Sequence, residues 1–221
     1  MIDELRIKIC CIASVEEMQM ALDAGATALG FVSKMPSGPG PIDEELIASI
    51  IPHVPGGIDT FLLTSEITAD AIIAQQRRTG ASVLQLVDAV DAGAYQEIRD
   101  ALPGVKIVQV IHVTDFDSVI EAFAAAREVD MLLLDSGNLK LAVKELGGTG
   151  RVHDWKLSRQ IRDGAGVPVY LAGGLNSANA GAAVRSVQPF GLDICSGVRT
   201  EGKLDAVKLR NFMHAARHAL T

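Results

Sequence analysis

Short apolar runs alternate with amphipathic stretches along the whole chain, with Gly, Pro, Asp or Ser between them. The apolar runs fall near 7–13 (IKICCIA), 28–33 (ALGFVS), 58–64 (IDTFLLT) and 82–87 (SVLQLV). Four more lie near 105–113 (VKIVQVIHV), 130–135 (DMLLLD), 168–173 (PVYLAG) and 191–196 (GLDICS). Each is followed by a helical stretch, such as VEEMQMALDAG, DEELIASIIPHV, ADAIIAQQRRTG and AVKLRNFMHAARHAL. Ser14, Asp43 and Asp154 stand where helix N-caps are expected.

Strict strand-then-helix alternation predicts an α/β fold with a parallel sheet. Eight units in 221 residues predict a closed (β/α)₈ barrel, a single domain spanning 1–221. The competing architecture, an open doubly wound sheet, wants a G-x-G-x-x-G turn after the first strand. The sequence there is CCIASVEE, which has no glycine.

Composition narrows the function. Hydrophobic residues make up 48% and aromatics 4%, a core of Val, Ile, Leu and Ala suited to buried parallel strands. The net charge of −7 argues against nucleic-acid binding, which needs a basic face. A phosphate ligand remains compatible if local backbone N–H groups hold it. The cysteines are Cys10, Cys11 and Cys195; so odd and sparse a set argues against a disulfide framework and for a reducing compartment. No Cys or His spacing resembles a zinc site. The start, MIDELRIKICC, lacks a signal-peptide apolar region, and no apolar run approaches the roughly 18 residues of a membrane span. A cytoplasmic location is therefore expected, with no membrane partner.

In such a barrel the working residues lie at the C-terminal ends of strands and in the loops that follow. Alternation within the first strand puts Lys8, Cys10 and Ile12 on one face and Ile9 and Cys11 on the other. A lysine is costly to bury against the helices, so Lys8 and Cys10 are expected inside the barrel. A free cysteine in an apolar strand is often only a small hydrophobe, so a catalytic role needs a tuned pKa. Asp135 closes the run MLLLD at a strand's C-terminal end, far from the next helix start, and is a candidate acid. GGTG (147–150) falls in the long loop after strand six, either a lid or a plain flexible loop. AGG (172–174) and SG (196–197) end strands seven and eight, where bare backbone N–H groups often hold a phosphate. That nominates Gly173, Gly174, Ser196 and Gly197. His112 ends strand five, and Asp193 is a polar residue inside strand eight, a candidate for the inner rim.

These motifs, in this order, resemble the phosphoribosylanthranilate isomerase family of tryptophan biosynthesis over nearly the whole chain. KICCIAS resembles the family's KICGIT, and LLLDS its LLLD. QLVD resembles QLHG, and GGTGRVHDW resembles GGTG-x-x-FDW. LAGGLNSANAGAAV and GLDICSGV are similar to its last two strand ends. The resemblance implies an Amadori rearrangement of an aminoaldose phosphate, with Asp135 as general acid at the furanose ring oxygen and Cys10 as general base at C2. It implies no metal or organic cofactor, a small phosphorylated substrate, and a monomer or homodimer. The two glycine sites would hold the 5-phosphate.

The sequence departs from the family pattern toward the aromatic end of the substrate. The strand-two loop, usually SPRY with a carboxylate-binding arginine, reads KMPSGPGPIDEE here. Val87 replaces the histidine of QLHG, and Gln109 and His112 stand where strand five usually carries Lys and Arg. Lys34, His112 and Arg199 are the candidates to replace the arginine. The alternatives are a paralogous barrel isomerase for another phosphosugar or amino-sugar phosphate, and a non-catalytic phosphometabolite-binding protein.

Overall fold

The computed structural model describes residues 5–137 and 152–219. The GGTG segment at 147–150 lies outside the described residues. Eight parallel strands close into a barrel in sequence order: β1 (Arg6–Ile9), β2 (Ala28–Val32), β3 (Asp59–Thr64), β4 (Val83–Leu86), β5 (Lys106–His112), β6 (Met131–Asp135), β7 (Val169–Leu171) and β8 (Gly191–Ile194). β8 returns to β1 in parallel register, with Lys8 opposite Asp193. The helices between them are α1 (Val15–Asp23), α2 (Glu44–Ile50), α3 (Ala69–Thr79), α4 (Ala94–Ala101), α5 (Asp117–Ala125), α6 (Trp155–Gly164) and α7 (Ala180–Val187); α8 (Ala206–Arg217) closes the chain.

Two apolar layers follow from strand alternation. Ile9, Leu29, Leu62, Leu84, Ile107, Leu132, Leu171 and Leu192 point outward and pack beneath the helices. Ala28, Phe61, Val83, Val108, Val110, Leu133 and Tyr170 point inward and fill the barrel. Tyr170 packs edge-on against Phe61 at 5.7 Å and against Phe190 at 5.5 Å between ring centroids.

The expected strands all form, but β1 is shorter than its apolar run. It ends at Ile9, and Cys11 adopts φ 64°, a left-handed conformation that L-residues rarely take. The twist shifts the alternation by one: Cys11 joins the inner cluster and Ile12 the outer one. The expectation that Ile12 faces inward and Cys11 the helices is thereby corrected.

The helix starts hold with one exception. Ser14 accepts from the Glu17 N–H and Asp154 from the Lys156 N–H. Asp43 occupies its cap position without a side-chain capping bond. A small antiparallel hairpin, β9 (Arg199–Thr200) with β10 (Lys203–Leu204), follows β8 and was not foreseen.

Candidate active site

Cys10 follows directly on β1, its N–H donating to the Ile194 carbonyl at 2.8 Å, so the end of β1 is sewn to β8. Beneath it lies Lys8, which is 0% exposed. The Lys8 Nζ sits 3.0 Å from Asp193 Oδ1 and donates to Gln85 Oε1 at 2.9 Å. Burial pushes the Cys10 thiol up to about 11; Lys8 pulls it back and Asp193 pushes it further up. The Lys8 ammonium is itself held above its ordinary value, because Asp193 and Cys10 together outweigh the cost of burial.

Asp135 ends β6 inside the barrel, its carboxyl buried and accepting from the Ser136 N–H at 2.6 Å. Burial raises its pKa above the ordinary carboxylate value, although the Ser136 N–H and His112 pull the other way. His112 stands opposite Asp135 in the β5–β6 register, with its Nε2 3.2 Å from the Val87 carbonyl. A second histidine approaches from the start of α6. His153 is half-buried, and its Nε2 lies 2.7 Å from the Ser158 hydroxyl. Desolvation holds it down to about 4, so it is neutral at neutral pH. A Cβ placed on Gly173 would meet Asp135 Oδ1, Ser136 Oγ and His153 Nδ1, all at 3.0–3.1 Å. Gly173 therefore lets the β7 end pass close over the acid.

Cys10 and Asp135 line one cavity of about 670 Å³, its open mouth included. Gln85 and Asp193 form its floor, and Gly173, Gly174 and Ser196 contribute to its wall. Val32, Met35 and Leu63 make an apolar side, and Ser37, Gly38 and Pro39 of the β2–α2 loop complete it. Gly173 and Gly174 have φ of 81° and 62°, so their chain turns in a way that favours glycine. The carbonyl of Gly174 accepts from Asn179 Nδ2 at 2.9 Å, which fixes the turn leading into α7. Gly197 does not line the cavity wall; it packs against the Leu175 carbonyl so closely that a Cβ would collide with it.

The structure separates the remaining candidates. Lys34 is exposed and lies outside this cavity, beside Asp43, Glu44 and Glu45. Arg199 is buried elsewhere: it pairs with Glu17 and donates to the carbonyls of Cys10 and Cys11, bracing the β1 end. Gln109 points outward, accepting from the Tyr95 hydroxyl at 2.8 Å and donating to the Leu86 and Asp88 carbonyls. His112 alone of these lies beside the acid. Two of the three cysteines are paired, Cys11 with Cys195, whose Cα atoms are 6.0 Å apart across the β1 and β8 ends. This is a single cross-link and not a framework; adjacency of the first and last strands brings residues 184 apart together. Sequence reasoning placed Lys8 inward and Asp193 at the inner rim, but missed their pairing, the part played by Gln85, the Arg199–Glu17 brace and His153. Among the described residues no group of His, Cys, Asp or Glu is arranged to hold a metal ion, and no helix is long and apolar enough to cross a membrane.

Residues 7–215 match the family described as N-(5'phosphoribosyl)anthranilate (PRA) isomerase. The N-(5'-phosphoribosyl)anthranilate isomerase of Methanosarcina acetivorans is 32% identical over 225 residues, covering 96% of this chain and 93% of its own. N-(5'-phosphoribosyl)anthranilate isomerase 2 of Methanosarcina mazei is 36% identical over 217 residues, covering 97% and 95%. The crystal structure of phosphoribosyl anthranilate isomerase from Thermotoga maritima has a TM-score of 0.83 at 25% identity, covering 97% of this chain and 99% of that one.

Proposed function

The chain belongs to the N-(5'-phosphoribosyl)anthranilate isomerase family, and within that family's reaction we propose that Cys10 is the general base and Asp135 the general acid. The reaction is an Amadori rearrangement of N-(5'-phosphoribosyl)anthranilate to the corresponding aminodeoxyribulose phosphate. The observation that carries the assignment is the shared cavity. A thiol from the β1 end and a carboxyl from the β6 end line the same space, with the glycine turn after β7 and Ser196 after β8 at its rim.

The residue types suit the proton movements. A buried carboxyl with a raised pKa keeps its proton to higher pH than an ordinary carboxylic acid and can donate it to the furanose ring oxygen as the ring C–O bond breaks. The anthranilate nitrogen supplies the electron pair that forms the C1–N double bond. The C2 proton is then acidic, because its electrons can flow into the protonated Schiff base. The Cys10 thiolate removes it, leaving an enolamine. Protonation at C1 and loss of the enol proton yield the ketone. Atoms and electrons balance within the substrate, so the sequence of steps calls for no oxidant and no reductant.

The 5-phosphate is assigned to the β7 and β8 rim, with Gly174 and Gly197 N–H groups as donors and Ser196 beside them. Glycine there lets an anion approach the backbone. Anchoring the phosphate would fix C1, C2 and the ring oxygen against both groups for the two proton transfers.

The test is a steady-state assay with the substrate generated in situ. We expect kcat/KM of about 10⁴ M⁻¹s⁻¹ or above, within the usual enzyme range. A value orders of magnitude lower, from protein shown to be folded, would overturn the reading.

A further inference from the structure

The Lys8–Asp193 pair is out of place as a purely structural feature. It lies inside the barrel, with Lys8 fully buried and Asp193 nearly so. Burying two charges is costly unless their geometry repays it, and a hydrophobic pair of similar volume usually serves stability as well. Around the pair, Gln85 is the polar inward neighbour bonded to Lys8, while Ala28, Phe61 and Val83 are apolar. The pair is also placed against a reactive group. Lys8 and Cys10 flank Gly30 of β2, where an added Cβ would lie 2.8 Å from Cys10 Sγ and 3.0 Å from Lys8 Cε. Both side chains therefore occupy the same small volume over a glycine that makes room for them.

We propose that Lys8 is a positioning residue whose ammonium group, fixed beneath Cys10 by Asp193 and Gln85, supports the Cys10 thiolate. Asp193 sets how much of that support reaches the sulfur. The proposal rests on the reading of Cys10 as base, since a base must shed its proton before it can accept another.

The surroundings give the sign of each effect. From β1, the Lys8 cation favours the thiolate; from β8, the Asp193 anion opposes it. Gln85 from β4 is neutral and holds Lys8 in place through its Oε1. Phe61 from β3 presents its ring 5.0 Å from the ammonium, a contact favourable to the cation. Tyr170 from β7 bears on Lys8, and Asp135 from β6 lines the same cavity as the thiol. Arg199 reaches only the backbone carbonyl of Cys10. Among these, Lys8 and Asp193 are the charged side chains that act directly on the sulfur, and they act in opposite directions. A lysine alone would be costly in the barrel. Its partner makes the burial tolerable and weakens its pull on the thiol.

Opposite signs separate this role from a structural one. The probe is iodoacetamide, which alkylates the thiolate, with Cys10 labelling read by peptide mass spectrometry from pH 7 to 11 on the full folded chain. In Asp193→Asn, Lys8 loses its competing anion, and the Cys10 labelling curve should move to lower pH. A shift of one pH unit raises the rate tenfold at any pH below the midpoint. In Lys8→Met the curve should move to higher pH, with labelling near pH 8 at least tenfold slower. Because Lys8→Met leaves Asp193 buried and alone, Lys8→Met/Asp193→Asn is made beside it; this neutral double variant should label more slowly than Asp193→Asn. Circular dichroism and a urea melt establish that each variant is folded. Loss of packing alone would move all the curves the same way by exposing the thiol. If folded Asp193→Asn labels no faster than the parent, or if the double variant labels as fast as Asp193→Asn, the proposal is overturned. Labelling reports the thiol whether or not it takes the C2 proton. A failure of the base assignment would show instead as turnover retained in Cys10→Ser.

Discussion

Arg199 Nη1 lies 2.8 Å from Glu17 Oε1, a side-chain pair that ties the hairpin after β8 to the first turn of α1. The same guanidinium reaches the carbonyls of Cys10 and Cys11, so one arginine closes the seam between the first and last βα units at the C-terminal rim. Both side chains are largely buried, and Glu17 also accepts from the Leu204 and Ala13 N–H groups. Removing one partner strands the other. Glu17→Gln or Arg199→Met should cost about 3 kcal/mol of stability, read as a lower urea midpoint. Burial alone would raise the Glu17 pKa, but Arg199 and the backbone donors hold it below its ordinary value. The carboxylate's contribution is therefore fully present above about pH 4.3 and is lost as pH falls through its folded value. The parent should lose stability across that window, and Glu17→Gln should lack that component. Identical acid melts for the two proteins would refute the pair's role.

Cys10→Ser and Asp135→Asn should each lower kcat by about 10²-fold or more, the usual scale for a general acid or base. Each change keeps the size of the side chain and alters what it can do with a proton. Binding of a phosphorylated product analogue, measured by calorimetry, should survive in both. Near-normal turnover in Cys10→Ser would remove the base assignment, and in Asp135→Asn the acid.

The pH profile follows from the two groups together. With the proposed roles, the working form carries a protonated Asp135 and a Cys10 thiolate. Burial pushes the thiol up to about 11 and raises the carboxyl from its ordinary value. Where the carboxyl titrates below the thiol, the active ionisation state is a minority species throughout. Below the carboxyl's pKa, kcat/KM should climb tenfold per pH unit as thiolate forms. Between the two values the gain in thiolate offsets the loss of acid, and the profile should be flat. Above the thiol's value it should fall. In Asp135→Asn the acid no longer titrates, so the residual rate should keep climbing toward about 11. A plateau retained in that variant would assign the acid limb to another group.

The barrel was legible in the alternation of apolar runs, because eight strands buried on both faces leave eight such runs. The placement of Cys10 and Asp135 at strand ends around one cavity was legible too, since strand ends at one rim are where this architecture gathers polar side chains. The face of Gln109 was also readable: it stands three residues before His112, so the two point to opposite sides of one strand. What stayed hidden was long-range or conformational. The turn at Cys11 reverses the side-chain phase, and a left-handed cysteine leaves no mark in a hydrophobic pattern. The partners of Lys8 are on β4 and β8, and that of Arg199 is on α1. Only barrel closure brings them together.

The phosphate assignment predicts sensitivity to side chains that nothing in the strand pattern requires. Gly174 turns with φ 62°, and a Cβ on Gly197 would strike the Leu175 carbonyl. Gly174→Val or Gly197→Ala should displace the turn that presents the N–H donors. Affinity for ribulose 5-phosphate, followed by calorimetry, should fall at least tenfold, about 1.4 kcal/mol. Affinity undiminished in both folded variants would place the anion elsewhere.

The aromatic end of the substrate should be held by the apolar wall and the β2–α2 loop, not by Lys34. Val32, Met35 and Leu63 line the cavity, whereas Lys34 is exposed and outside it. Arg199 is committed to Glu17, and Gln109 faces the helices. An anthranilate ring against Met35 would remove apolar surface from water. Truncating that side chain gives up about 1 kcal/mol, roughly fivefold in KM. No bond of the ring itself is made or broken, so an apolar contact with its edge contributes equally in ground and transition states, and kcat should barely change. Met35→Ala is thus expected to raise KM at nearly constant kcat, and Lys34→Ala to leave both within about twofold, since a solvated surface charge contributes little. Steady-state kinetics at two ionic strengths distinguish the outcomes. A large, salt-sensitive rise in KM for Lys34→Ala would mean that the loop closes over the substrate and delivers the lysine to the carboxylate. That result would replace the apolar wall as the main determinant of the aromatic end.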